Sequence, residues 1–178
     1  KNNEIFLDQK SVSLIPAAGR GSRFKEIGYK VDKPFLEVSD NFLIIHSTKS
    51  LPKSNQYIFI TLKDNYKKYK LKDLIKKQFE SSILINIKQI TNGQAITSLK
   101  AKNFLNANDF LTISACDHAV LYDSNKFQDL VNDKNIDIIV WSIRGHVGAI
   151  RNPDMYGWLI EENGDIKGVS VKKKLGNP

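Results

Sequence analysis

The sequence predicts an α/β protein: a three-layer α/β/α sandwich with a mostly parallel central sheet, followed by a C-terminal β-hairpin. Three observations predict it. Short runs rich in β-branched residues alternate with helix-like stretches along most of the chain. The runs are apolar at consecutive positions rather than every second one, as in strands covered on both faces. The last stretch changes character, to two strand-like runs around an Asn-Gly turn.

The elements follow in order. Val12–Pro16 (VSLIP) reads as the first buried strand, then Phe42–Leu51 as a helix and Gln56–Leu62 (QYIFITL) as the second strand. Asn65–Phe79 reads as one amphipathic helix, with Tyr66, Leu71, Leu74 and Ile75 on its apolar side. Ile83–Lys88 is the third strand. Gly93–Leu105 is a helix that Thr91 or Asn92 would cap. Phe110–Ala115 is a strand, Ser124–Asn132 a helix capped by Asp123 or Ser124, and Ile136–Ser142 a fifth buried strand. Tyr156–Ile160 and Ile166–Val171 form the hairpin across Asn163-Gly164. No repeat or low-complexity linker interrupts residues 1–178, which read as one domain. Lys1 in place of Met and the end at Gly176-Asn177-Pro178 are read as the marks of a C-terminally truncated excerpt of a longer protein.

Composition narrows the function classes. Hydrophobic residues make up 41% and charged residues 26%, enough apolar mass for a core and too much for a disordered chain. No apolar run approaches the roughly 18 residues of a membrane span, so no membrane association is predicted. One cysteine, Cys116, forms no intrachain disulfide, which fits a reducing, cytoplasmic setting. The three His and one Cys are scattered, which leaves no soft-ligand metal site. The net charge of +8 resides in residues 1–89, which hold 17 basic and 9 acidic side chains, while residues 90–178 balance at 10 and 10. A basic half favours an anionic partner: a nucleotide, nucleic acid or phosphorylated metabolite. The seven lysines from Lys63 to Lys77 read instead as the solvated face of a helix. A nucleic-acid module would interleave aromatics with arginine, yet only four arginines exist and none lies in that helix, so no nucleic-acid partner is predicted. The sequence sets no oligomeric state.

Ligands of parallel sheets bind at the carboxyl ends of the strands. The loops after Pro16, Lys88 and Ala115 are therefore the informative ones. The first reads Ala17-Ala18-Gly19-Arg20-Gly21-Ser22-Arg23-Phe24. Two glycines, small alanines and a hydroxyl let backbone N–H groups approach a phosphate, and two arginines offer forked donors to its oxygens. Phe24 replaces the third glycine of a dinucleotide fingerprint, and no Gly-Lys-Ser/Thr of a Walker loop appears.

Leu14-Ile15-Pro16-Ala17-Ala18-Gly19-Arg20-Gly21-Ser22-Arg23-Phe24, followed by Lys33-Pro34-Phe35-Leu36, resembles the signature of the nucleotidyltransferase family. That family includes sugar-1-phosphate nucleotidylyltransferases and phosphocholine cytidylyltransferases. The spacer between Arg23 and Lys33 lacks the Pro-Leu-Thr often found there. Three later segments resemble the same family in the same order. Asn92-Gly93-Gln94-Ala95 resembles its base-reading turn. Ala115-Cys116-Asp117-His118 resembles the strand end whose Asp binds Mg²⁺. Met155-Tyr156-Gly157-Trp158, the Asn163-Gly164 turn and Ser170-Val171-Lys172-Lys173-Lys174 resemble its Tyr-Gly segment, hairpin and Glu-Lys-Pro motif.

The resemblance implies a Rossmann-like, GT-A-type fold and a Mg²⁺-dependent nucleotidyltransferase. Such an enzyme moves a nucleoside monophosphate from an NTP to a phosphorylated small-molecule acceptor, chiefly a sugar 1-phosphate, and releases pyrophosphate. It implies a place in nucleotide-sugar and polysaccharide biosynthesis. Catalytic roles fall to Arg23, at the departing pyrophosphate, and Lys33, at phosphate oxygens near the reacting phosphorus. Ala17, Ala18, Gly19, Gly21, Ser22 and Gln94 would bind the nucleotide and Asp117 the metal. Gly157 and either Lys173 or Lys174 would meet the acceptor. The base, CTP, UTP, dTTP or GTP, is left open.

Each residue also has a structural reading. Asp117 reads as a cap, Gln94 as a first-turn helix residue, Gly157 as a tight strand passage and the terminal lysines as a solvated end. His118 is read as structural, His46 as a satisfied core histidine, Cys116 as a small buried hydrophobe and Asp109 as a turn residue. Trp141 and Trp158 read as core or pocket wall. Two functional alternatives remain: a GT-A-type glycosyltransferase using a nucleotide-sugar, and a nucleotide-binding domain without turnover. The first would carry an Asp-x-Asp where Asp117-His118-Ala119 stands.

Overall fold

The computed structural model describes Leu7, residues 9–19, Gly21, Phe24, Glu26 and residues 28–175. The site candidates Ser22 and Arg23 lie outside the described residues. Two compact units are present, Lys1–Asp133 and Lys134–Pro178.

The first unit is built on consecutive apolar strands. Ser11–Ala17 (β1) is buried at every position, as a strand covered on both faces must be. Two short strands, Glu37–Val38 (β2) and Asn41–Phe42 (β3), pair antiparallel. Helix Leu43–Lys49 (α1) leads to Gln56–Leu62 (β4), helices Lys63–Lys68 (α2) and Leu71–Gln78 (α3) to Ser82–Ile87 (β5), and helix Gln94–Ser98 (α4) to Phe110–Ile113 (β6). The sheet order is β5-β4-β1-β6, with all neighbours parallel. The crossovers from β1 through β5 run one way from β1, and β6 lies on its other side.

Alternation along the strands makes the three layers. On one face Ile15, Ala17 and Phe59 pack with Ile44 and Ile45 of α1, Leu71 and Ile75 of α3, and Phe35. On the other, Val12, Leu14, Ile58 and Ile60 pack with Ala101 from the 3-10 segment Leu99–Phe104. The register sets Leu14 beside Ile58 and Ile15 beside Phe59, so each layer is continuous across strands. β6 is thinner: Leu111 and Ile113 remain 39% and 48% exposed.

Several expectations are corrected. The helix expected over Asn65–Phe79 is two helices. Tyr69 ends α2 by stacking on Phe35 at 4.2 Å, and Lys70 turns left-handed at φ 47 before α3. All seven lysines of this stretch are exposed, as the solvated-face reading expects. The helix expected over Gly93–Leu105 tightens after Ser98 into the 3-10 segment, which brings the small, fully buried Ala101 against the sheet. Its N-cap is Gly93, with no side-chain cap bond, so neither Thr91 nor Asn92 caps it.

The second unit begins without the fifth strand expected there. Ile136–Ser142 forms no strand, and Ile138 is 77% exposed. Its β-branched residues favour an extended chain, but among the described residues no ladder partner completes it. Helix Val147–Arg151 (α6) follows, α5 being Ser124–Asn132 of the first unit, whose N-cap Asp123 accepts from Asn125 N and Lys126 N. Gly157–Glu162 (β7) and Asp165–Val171 (β8) then make the expected antiparallel hairpin. Asn163 and Gly164 at φ 55 and 90 form its type I′ turn.

Candidate active site

The first unit opens a cleft where β1 and β6 part. Their last paired residues are Leu14 and Ile113, and Ser114 N donates to Leu14 O at 3.1 Å before the chains diverge. Pro16 follows two residues on, with its nitrogen on the side that β6 has left. A proline is tolerated in a central strand there because no acceptor waits for its missing N–H. The cleft measures about 250 Å³ and is lined by Ala18, Gly19, Thr91, Gln94, Cys116 and Asp117 among others. All three loops singled out in the sequence therefore meet in one place. It is also the point where the crossovers reverse direction, the usual ligand position of an open parallel sheet.

The site candidates are held for local reasons. Ala18 and Gly19 follow directly on β1. Ala17 does not line it, because its methyl packs in the core beside Ile15 and Phe35. Gly21, at φ +57, sits against the backbone nitrogen of Lys33, 4.0 Å from where a Cβ would stand. Gln94 opens α4 after Gly93, whose φ of 104 and ψ of 171 suit glycine. Thr97 ties this turn from within the helix, donating from N and Oγ1 to Gly93 O, each at 3.1 Å.

The electrostatic centre is Asp117. Lys33 Nζ lies 2.5 Å from its Oδ2, and His118 Nδ1 lies 3.0 Å from its Oδ1. Lys33 begins the 3-10 turn Lys33–Phe35, and the buried Phe35 anchors that turn to the core. Its ammonium also lies 5.1 Å from the Phe24 ring centroid. The hydrogen bond from His118, opposed by partial burial and joined by Lys33, holds the Asp117 carboxyl well below the usual carboxylate range. The same contact raises the His118 imidazole above its ordinary value. His118, read from the sequence as structural, thus touches the candidate metal ligand. The sequence signal for it is its place next to the strand-end Asp117. Burial, reinforced by the adjacent carboxylate, pushes the Cys116 thiol up to about 12.

The donor set discriminates among metals. Cys116 stays a neutral thiol, and no group of three or more His, Cys, Asp or Glu that could hold a metal exists among the described residues. One carboxylate facing a cleft fits a hard cation that takes its other ligands from phosphate oxygens and water, which is the habit of Mg²⁺.

Gly157 lies in the second unit, in a cleft of about 400 Å³ lined by Trp141, His146, Tyr156, Trp158 and Glu161 among others. Arg144 Nη2 bonds Glu161 there. A Cβ on Gly157 would stand 3.7 Å from Ser170 O, an ordinary contact, so packing does not demand glycine. Lys173 and Lys174 are exposed beyond β8, and the Lys173 carbonyl accepts from the Ser170 hydroxyl. His46 is satisfied, with Nε2 2.8 Å from Val38 O, but it lies at the surface rather than in the core. Asp109 accepts from Asn106 N at 2.9 Å in a turn, as read from the sequence. Among the described residues no helix is long and apolar enough to cross a membrane.

Known proteins sharpen the picture. No curated protein matches the chain at a significant level. Among solved structures, a UTP-bound UGPase from Acinetobacter baumannii aligns with a TM-score of 0.60 at 20% identity, over 96% of this chain and 70% of its own. A nucleoside-diphosphate-sugar pyrophosphorylase from Vibrio cholerae aligns at 0.61 and 17% identity, over 92% and 68%. The inositol-1-phosphate CTP transferase from T. maritima aligns at 0.51 and 17%, over 63% of this chain. The aligned part is 45% of that protein's length, so this chain spans less than half of it. At these identities the likeness is one of fold. The family described as nucleotidyl transferase matches residues 12–170, nearly the whole sequence, and the chain belongs to that family.

Proposed function

We propose that this chain carries the nucleotide half of a nucleotidyltransferase site, which passes a nucleoside monophosphate from an NTP to a phosphorylated small-molecule acceptor, chiefly a sugar 1-phosphate. The observation that carries the reading is the Lys33 ammonium 2.5 Å from the Asp117 carboxylate, which itself lines the cleft with Gly19 and Gln94. A paired cation and carboxylate at a glycine-lined strand end suit a site for a polyphosphate and its metal.

An oxygen of the acceptor phosphate attacks the α-phosphorus, the bond to the bridging β-phosphate oxygen breaks, and pyrophosphate leaves with that electron pair. The obstacle is repulsion between two polyanions, so the protein's work is positioning and charge neutralisation. Backbone N–H groups around Gly19 and Gly21 hold the triphosphate, with Ala18 and Ser22 completing the loop. Gln94 faces the base. Lys33 neutralises oxygens near the α-phosphorus, and Arg23 stabilises the departing pyrophosphate. Asp117 would hold Mg²⁺, which when bound screens the phosphate charges. Gly157 and one of Lys173 or Lys174 serve the acceptor. The family match spans both units, which supports reading them as one functional domain. A cytoplasmic setting suits the lone free thiol.

Among the described residues Asp117 is the one carboxylate lining the cleft, and a second reading is a nucleotide-binding domain without turnover. The test is thermal unfolding with CTP, UTP, dTTP, GTP or ATP, with and without Mg²⁺, beside an assay of pyrophosphate release. Saturation about 100-fold above Kd stabilises by about 2.7 kcal/mol, or roughly 5–10 °C for a chain of this size. A metal-dependent shift with one triphosphate supports the site, and pyrophosphate release separates enzyme from binding domain. No shift with any triphosphate overturns both readings. A shift with nucleotide-sugars alone would favour a glycosyltransferase.

A further inference from the structure

We propose that Lys33 is the resident counter-ion of the candidate metal centre: its ammonium holds the Asp117 carboxylate until a triphosphate draws it away, so a divalent cation binds weakly before the nucleotide and well with it. The inference rests on the reading of Asp117 as the metal ligand.

Both carboxylate oxygens are taken. Lys33 Nζ lies on Oδ2 and His118 Nδ1 on Oδ1, and the Asp117 side chain is only 18% exposed. Among the described residues no acidic cluster supplies a second ligand. Each oxygen keeps a second lone pair, but a cation entering at Oδ2 meets the Lys33 ammonium already there, and the two like charges on one oxygen repel.

The lysine is also placed to leave. Its backbone is fixed by the 3-10 turn that buries Phe35, with Phe35 stacked on Tyr69 at 4.2 Å. Its side chain is a flexible stem carrying a point charge, 30% exposed. The stem can swing to phosphate oxygens while the turn stays put. Phosphate oxygens compete well for an ammonium, being multiply charged. Releasing Asp117 in this way couples the two ligands, and by linkage each must improve the affinity for the other.

The experiment titrates nucleotide-free protein with Mn²⁺ and reads free Mn²⁺ by electron paramagnetic resonance. Wild type is compared with Lys33→Met, Lys33→Arg and Asp117→Asn, each checked by circular dichroism and thermal midpoint. Lys33→Gln stands in if the Met variant misfolds. The expected result is a Kd at least about tenfold lower in Lys33→Met, equivalent to about 1.4 kcal/mol. Lys33→Arg, which keeps the charge, should bind no tighter than wild type, and Asp117→Asn should lose the site. An unchanged or weaker Kd in folded Lys33→Met, with binding lost in Asp117→Asn, overturns the counter-ion role and leaves the metal reading intact. Undiminished binding in Asp117→Asn overturns the metal reading, and the inference falls with it.

Discussion

Gly93→Ala is a clean probe of how the base-side wall of the cleft is held. Gly93 has φ 104 and ψ 171, and no heavy atom lies within 4 Å of the place a Cβ would occupy. The substitution therefore adds no clash, only backbone strain. A residue forced into this glycine region costs about 1–3 kcal/mol. Alanine also narrows the unfolded ensemble, which returns about 0.4–1 kcal/mol. The net loss centres on about 1.3 kcal/mol, or roughly 3–5 °C in melting temperature for a chain of this length. The chain has one other outlet, which is to relax φ toward negative values. That would break the contact from Gly93 N to Thr91 O at 2.8 Å and the Thr97 bonds to Gly93 O, and it would swing Gln94 away from the cleft. Stability would then fall through the lost hydrogen bonds instead of through strain, and the nucleotide-induced thermal shift would be lost as well. Calorimetry with and without the triphosphate distinguishes the outlets. A melting temperature within about 1 °C of wild type together with an undiminished nucleotide shift would refute the reasoning.

Two further outcomes follow from the Asp117 neighbourhood. With its thiol raised from 9.0 to about 12, Cys116 holds roughly 10³-fold less thiolate at pH 8 than an ordinary cysteine. Alkylation by iodoacetamide should be slower in native than in urea-unfolded protein by about that factor, and a native rate within about tenfold of the unfolded one would contradict the burial. His118 is raised by its bond to Asp117, so its contribution to stability is full below its ordinary value of 6.5 and fades as pH rises through the raised value. Urea unfolding in EDTA should show wild type above His118→Gln at pH 6 by up to about 1 kcal/mol, since the imidazole is largely exposed, with the gap closing by pH 9. A gap that widens with pH has the wrong sign.

Legibility in the sequence followed the range of the interaction. Strands buried on both faces announce themselves by continuous apolar runs, so Gln56–Leu62 is found to the residue. The hairpin announces itself through Asn163-Gly164, a local conformational requirement. What depends on distant partners was not legible. Tyr69 breaks its helix because Phe35 and Phe42 await its ring, far away in sequence. Ile136–Ser142 has the composition of a strand, but composition supplies no neighbour. The site behaves likewise. The loops at Gly19, Gln94 and Asp117 could be found from their place at strand ends. That Lys33 would lie on Asp117 is a tertiary fact, whereas His118 adjoins Asp117 in sequence.

The site exists because two strands of unequal length lie side by side. β6 pairs with β1 only as far as Ile113 beside Leu14, while β1 runs on to Ala17 against β4. The difference leaves an open step, floored by Pro16 and walled by Ala115 to Asp117 and by the turn at Gly93. Charge at that step outweighs charge in number. Seven lysines on α2, α3 and the turn between them stand in solvent, where screening leaves each worth little toward a bound anion. Lys33 is one lysine, but the core-anchored turn that carries it sets its ammonium against a half-buried carboxylate, where a positioned charge is worth several-fold more. A mutation that shortened β1, or one that prolonged β6 past Ser114, would therefore damage the site more than neutralising the entire lysine face.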